Sequence, residues 1–164
     1  MNLGLATEKA KDATEFDAMA EFKQGVQLLK NDYPQKALPK LRRAFECDQH
    51  NPYYISFLGL CVARALRKWV QAYELCEIAV QLKPAEIQFH LNLAEVYASA
   101  GLREKALDKL DTALERFRGD SRIAQARSKV QNRRNPILPF FGRAHFLNRG
   151  LGKLRHRALK RLGK

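Results

Sequence analysis

The sequence predicts an all-α chain: antiparallel helix pairs stacked into a solenoid, followed by a basic C-terminal tail. Three observations carry this. Ala, Leu, Lys, Arg, Glu and Gln abound while only 9 of 164 residues are glycine, so helix is favoured over sheet. Three stretches of the chain repeat one another at one spacing. The charge also divides sharply along the chain. Residues 1–118 carry 17 Lys/Arg against 16 Asp/Glu, whereas residues 119–164 carry 13 against a single acid, Asp120. Nearly all of the formal net charge of +13 therefore sits at one end, which points to a body and a tail with separate roles.

The repeat is clearest in three segments: Lys36-Ala37-Leu38-Pro39-Lys40-Leu41-Arg42-Arg43-Ala44, Gln71-Ala72-Tyr73-Glu74-Leu75-Cys76-Glu77-Ile78-Ala79, and Lys105-Ala106-Leu107-Asp108-Lys109-Leu110-Asp111-Thr112-Ala113. Ala37, Ala72 and Ala106 lie 35 and 34 residues apart, as do Leu41, Cys76 and Leu110, and Ala44, Ala79 and Ala113. Steps of four and three put the three columns on one helical face. Small residues at the outer columns let a second helix approach closely, and Leu or Cys between them fills the seam.

A preceding helix is marked by Gln24-Gly25 with Leu28, Leu58-Gly59 with Val62, and Leu93-Ala94 with Tyr97. Its small column, Gly25, Gly59 and Ala94, steps by 34 and then 35. The order is reversed because the span from Gly59 to Ala72 is one residue longer than its counterparts, and the extra residue is expected in the turn at Leu66–Trp69.

With these columns the sequence resembles the tetratricopeptide repeat family, whose pattern is a large residue, Leu-Gly, Tyr, Ala-x3-Phe, Ala and Pro at a period of 34. The resemblance covers roughly residues 18–118. It is complete at the alanines and partial elsewhere: Leu58-Gly59 lacks the Tyr, Tyr97 lacks the Gly, and the closing Pro survives only as Pro84, with Gln49 and Arg118 at its equivalents. It implies a right-handed superhelix of antiparallel helix pairs, with repeats at about 18–52, 53–86 and 87–118. A stack of this kind needs a capping helix. Gly119 reads as a helix stop and Asp120 or Ser121 as the next N-cap. Ile123, Ala126 and Val130 then make a narrow apolar stripe, and Asn135-Pro136 ends the helix. The expected organisation is a flexible N-terminus at 1–13, repeats and cap over 14–134 with the cap at 120–134, and a tail at 135–164.

The residues offer no chemistry. The four histidines, His50, His90, His145 and His156, are nowhere three or four residues from another His or a Cys, so no helical metal pair exists. His90 occupies a packing column. Gly150-Leu151-Gly152-Lys153 lacks the glycine, hydroxyl and strand of a phosphate loop. The cysteines Cys47, Cys61 and Cys76 fall inside apolar helical patterns and read as reduced thiols of a cytoplasmic protein. No apolar run approaches the roughly 20 residues of a membrane-spanning helix. The expectation is a protein with no catalysis, cofactor, metal or small-molecule substrate.

The resemblance then implies a groove lined by the first helix of each pair, which takes a segment of a partner protein. Some family members clamp an acidic C-terminal peptide with Lys, Arg and Asn. The matching positions here are Phe22, Val26, Phe57, Gln88 and Asn92, with no cation among them. An apolar end (Met19, Phe22, Val26, Leu29, with Phe57) and a polar end (Gln88, Asn92, Glu95) suit an apolar or amphipathic segment better.

The tail opens with Pro136-Ile137-Leu138-Pro139-Phe140-Phe141, with Phe146 shortly after. Beyond it, Leu147, Leu151, Leu154, Ala158 and Leu162 fall on one helical face, and Arg149, Lys153, Arg157, Lys160, Arg161 and Lys164 on or near the other. Such a segment can fold back or dock on a partner. It can also lie on an anionic membrane or contact nucleic-acid phosphates.

Overall fold

The computed structural model describes residues 18–132. The expected N-terminal segment at 1–13 and the tail at 135–164, with its six named cations, lie outside the described residues. Two compact units divide at Val130; of the second, only Gln131 and Asn132 are described, as the end of the last helix.

Seven helices make up the described residues, which contain no strand. They are α1 (18–30), α2 (Pro34–Cys47), α3 (Pro52–Leu66), α4 (Trp69–Leu82), α5 (Ile87–Ser99), α6 (Arg103–Arg116) and α7 (Ser121–Asn132). Their ends follow from local chemistry. Pro34 and Pro52 open α2 and α3, where a missing N–H does no harm. Asn51 caps α3 by accepting from the Tyr53 N–H at 3.0 Å, Glu86 caps α5 from the Gln88 N–H at 3.3 Å, and Asp120 caps α7 from the Arg122 N–H at 2.9 Å. These three caps share one column, 35 and then 34 residues apart.

Turns of two or three residues join α1 to α2, α3 to α4 and α5 to α6, so each pair is antiparallel. Each turn holds one left-handed residue in a common column: Asp32 at φ 61°, Arg67 at φ 56° and Gly101 at φ 86°. From that residue to the next alanine column is five residues in every repeat. The extra residue of the second repeat is therefore not in the turn, as the sequence suggests, but in α3, which runs on to Leu66. A helix absorbs it with one more backbone hydrogen bond, whereas the turn geometry leaves no slack. The third turn uses glycine and the first aspartate, both suited to a left-handed backbone, whereas the second uses arginine. Arg67→Gly should accordingly raise stability by about 0.5–1 kcal/mol in a urea melt. A loss would mean that the Arg67 side chain matters more than its backbone.

The core is the seam between helices. Ala37, Leu41, Ala44, Ala72, Cys76, Ala79, Ala106, Leu110 and Ala113 are all essentially solvent-free. The small column of the first helices faces them. A Cβ on Gly25 would lie 2.6 Å from Leu41 Cγ, and one on Gly59 would lie 2.7 Å from Cys76 Sγ and 2.8 Å from the Ala72 carbonyl oxygen. Ala94 occupies the same column and is buried. Helix α7 covers the third pair: Ile123 is fully buried, Arg127 pairs with Asp111 of α6, and the Arg103 Nε donates to the Val130 carbonyl at 3.3 Å. His90 packs edge-on against Phe117, and its Nε2 donates to the Pro84 carbonyl at 3.0 Å.

Candidate functional site

The first helices of the pairs, α1, α3 and α5, make up one side of the stack: α3 packs directly on α5, and Phe22 of α1 packs on Tyr54 and Phe57 of α3. On α1 one row at the surface is Met19, Lys23, Val26 and Lys30, spaced by four, three and four. Met19 is 41% exposed and Val26 is half-buried, while both lysines are exposed. Leu29, which the sequence assigns to this wall, is instead 3% exposed and belongs to the core. Phe22 lies between the two sides. Its ring packs on Tyr54 at 5.0 Å and edge-on against Phe57 at 5.4 Å, so the first two repeats share an aromatic contact at the rim of the wall. The sequence pattern overlooked the two lysines. Aligning the repeats on Gly25, Gly59 and Ala94 would have found one of them, since it sets Lys23 in the column of Phe57 and Asn92.

The polar end is more closed than its residue types imply. Asn92 is 2% exposed, donates to Ser56 Oγ at 3.0 Å and accepts from Gln88 Nε2 at 2.8 Å. It joins α5 to α3 and leaves Gln88 at the surface. Glu95 accepts from Arg64, with Nε at 2.7 Å, and Arg64 also donates from Nη1 to the Leu29 carbonyl at 3.1 Å. One guanidinium thus ties the end of α1 to α3 and α5 and fixes the spacing of the inner helices. A half-exposed pair of this kind contributes little energy, and its role is geometric.

Nothing on this face resembles a reaction centre. Among the described residues, no group of three or more His, Cys, Asp or Glu could hold a metal ion, and no helix is long and apolar enough to cross a membrane. The buried thiols Cys61 and Cys76 are pushed up to about 12 by desolvation. Both point into the seam: Cys61 Sγ donates to the Pro34 carbonyl at 3.3 Å and Cys76 Sγ to the Ser56 carbonyl at 3.5 Å. A thiol held neutral in this way is a poor nucleophile.

The family model described as Tetratricopeptide repeat matches residues 63–130. Over these residues the chain carries the tetratricopeptide repeat pattern. Solved structures of tetratricopeptide domains share the fold. The second such domain of human RPAP3, in complex with the HSP70 peptide SGPTIEEVD, superimposes with a TM-score of 0.59 at 17% identity, over 73% of this chain and 99% of that one. The Arabidopsis OM64 domain gives 0.60 at 15% identity, over 72% and 97%. YrrB, a tetratricopeptide protein with an unusual peptide-binding site, gives 0.59 at 24% identity, over 77% and 68%. No curated protein matches the chain.

Proposed function

We propose that this tetratricopeptide stack is a non-catalytic adaptor holding an apolar or amphipathic segment of a partner protein along its inner face. The observation that carries this reading is the wall formed by Met19, Val26, Phe22 and Phe57, which stays partly open to solvent beside a rigid polar floor. Structural relatives in complex with peptides support a peptide-binding role: human RPAP3 with an HSP70 peptide, and Spaghetti with the HSP90 peptide SRMEEVD. Where the family clamps an acidic C-terminus, this chain has Phe22, Val26, Phe57, Gln88 and Asn92. Lys23 and Lys30 border the wall without forming that clamp, and they suit a segment whose polar side carries some acid.

The test is a peptide-display selection on the full chain, followed by fluorescence anisotropy. Selected peptides should carry apolar anchors at helical or alternating spacing, and Phe57→Lys should weaken them by at least about tenfold. The peptide SGPTIEEVD should bind more weakly than about 1 mM. Tight binding of SGPTIEEVD that ignores Phe57→Lys would place the site elsewhere and overturn the reading.

A further inference from the structure

The exposed side of α4 carries three large apolar residues where its counterparts are mostly polar. Val70, Ile78 and Leu82 are 57%, 44% and 55% exposed. In the same three columns α2 has Gln35, Arg43 and Cys47, and α6 has Glu104, Thr112 and Arg116. The buried residues of α4, Ala72, Cys76 and Ala79, lie on its other side. The exposed side of α4 thus offers three large apolar side chains, with Gln71, Glu74 and Gln81 exposed among them, between two more polar helices.

We propose that this face pairs with the same face of a second copy, about a two-fold axis that runs along the stack and crosses α4 at the level of Cys76. Such an axis sets α4 antiparallel to its copy, and residues equally far on either side of it meet. Val70 then faces Leu82 of the second copy, and Glu74 faces Ile78, with the carboxylate free to turn outward. The same axis crosses α2 at Leu41 and α6 at Leu110, because these share the Cys76 column. Around Leu41, Lys36 faces Glu46. Around Leu110, Glu104 faces Arg116, Lys105 faces Glu115, and Asp108 faces Thr112. Lys36, Glu46, Glu104, Lys105, Glu115 and Arg116 are all exposed, and within the described residues none enters an ion pair.

One axis therefore brings apolar side chains together at the centre and opposite charges together on both flanks. The exceptions are Glu74 opposite Ile78 and Arg42 opposite Lys40, where Lys40 shares the Glu21 carboxylate with Arg43. Charge self-complementarity on two separate helices identifies the occupant as a second copy rather than an unrelated helix. The inner faces of both copies stay open, so the pair presents two grooves, and a partner with two suitable segments gains avidity.

The test is sedimentation velocity of the full chain from about 1 to 100 µM, the range in which a modest interface of this kind associates. The expected result is a concentration-dependent doubling of mass. Ile78→Glu with Leu82→Glu should leave a folded monomer, since both side chains are solvent-exposed in the single chain. Glu104→Arg should weaken association by about threefold, as a rim charge does. Adding Arg116→Glu should restore it, because the swapped pair is again opposite in sign. A wild-type chain that stays monomeric throughout, a dimer that survives the Ile78/Leu82 change, or a charge swap without recovery each overturns the proposal.

Discussion

Replacing Gly59 with alanine is expected to lower the stability of the stack by about 2 kcal/mol, although alanine is the better helix former. Position 59 is in the middle of α3, where Gly→Ala alone would gain roughly 1 kcal/mol. The added Cβ would instead lie 2.8 Å from the Ala72 carbonyl oxygen and 2.7 Å from Cys76 Sγ. The first is backbone of a helix packed on both sides, so α3 and α4 would have to separate by several tenths of an ångström. Such a shift loosens the contacts that Ala72, Cys76 and Ala79 make along the whole seam. Gly25→Ala should cost less, because its close obstacles are the Leu41 side-chain atoms Cγ and Cδ2, with backbone no nearer than 3.4 Å. Parallel urea melts of the two variants decide the matter. A stabilised Gly59→Ala, or a larger loss at Gly25, would show that the seam does not depend on this close approach.

The same seam explains how much of the fold the sequence discloses. Small residues at 34- and 35-residue steps are conspicuous because a close helix crossing tolerates few alternatives, and every alanine of the three columns is buried. The caps were partly readable: Asp120 stands out after Gly119, while Asn51 and Glu86 become visible only once the columns are aligned. The inner face was read less well. Periodicity gives the apolar side of α1 but not its rotation, which depends on how Gly25 seats against Leu41. With the helix drawn in at that point, Leu29 turns into the core and the Met19, Lys23, Val26 and Lys30 row is left toward solvent. Asn92 looks like a groove residue by type, yet a hydroxyl on the neighbouring helix, Ser56, draws it inward. The strip at Val70, Ile78 and Leu82 went unnoticed because each residue is ordinary in a helix. It stands out only beside the polar residues in its columns.

Stability is expected to fall steeply above pH 9, and the cause lies in two thiols. Burial raises Cys61 and Cys76 from the ordinary 9.0 to about 12. For Cys76 the nearby Glu95 and Glu77 add to desolvation, whereas for Cys61 the charges of Arg64 and Arg42 oppose it. Between these two values the unfolded chain has released the protons and the folded chain still holds them. The folded state binds more protons, so stability decreases as pH rises. The contribution is fully present below about pH 9 and is lost toward pH 12. Each thiol gives a slope of about 1.4 kcal/mol per pH unit, so the pair can consume much of a typical margin of about 5–15 kcal/mol within three units. Tyr97 steepens the fall above its ordinary 10.0, because burial and its hydrogen bond with Glu77 hold the phenol above the usual range. Urea unfolding at pH 8, 9 and 10 under reducing conditions isolates the thiols. Cys76→Ala should halve the slope between pH 9 and 10, because it removes one of the two titrating groups. In the native protein at pH 8 a thiol reagent should find only Cys47, which is exposed, and should reach the other two on unfolding. A flat profile through pH 10, or an unchanged slope in Cys76→Ala, would mean that the seam opens readily enough for the thiols to ionise in place.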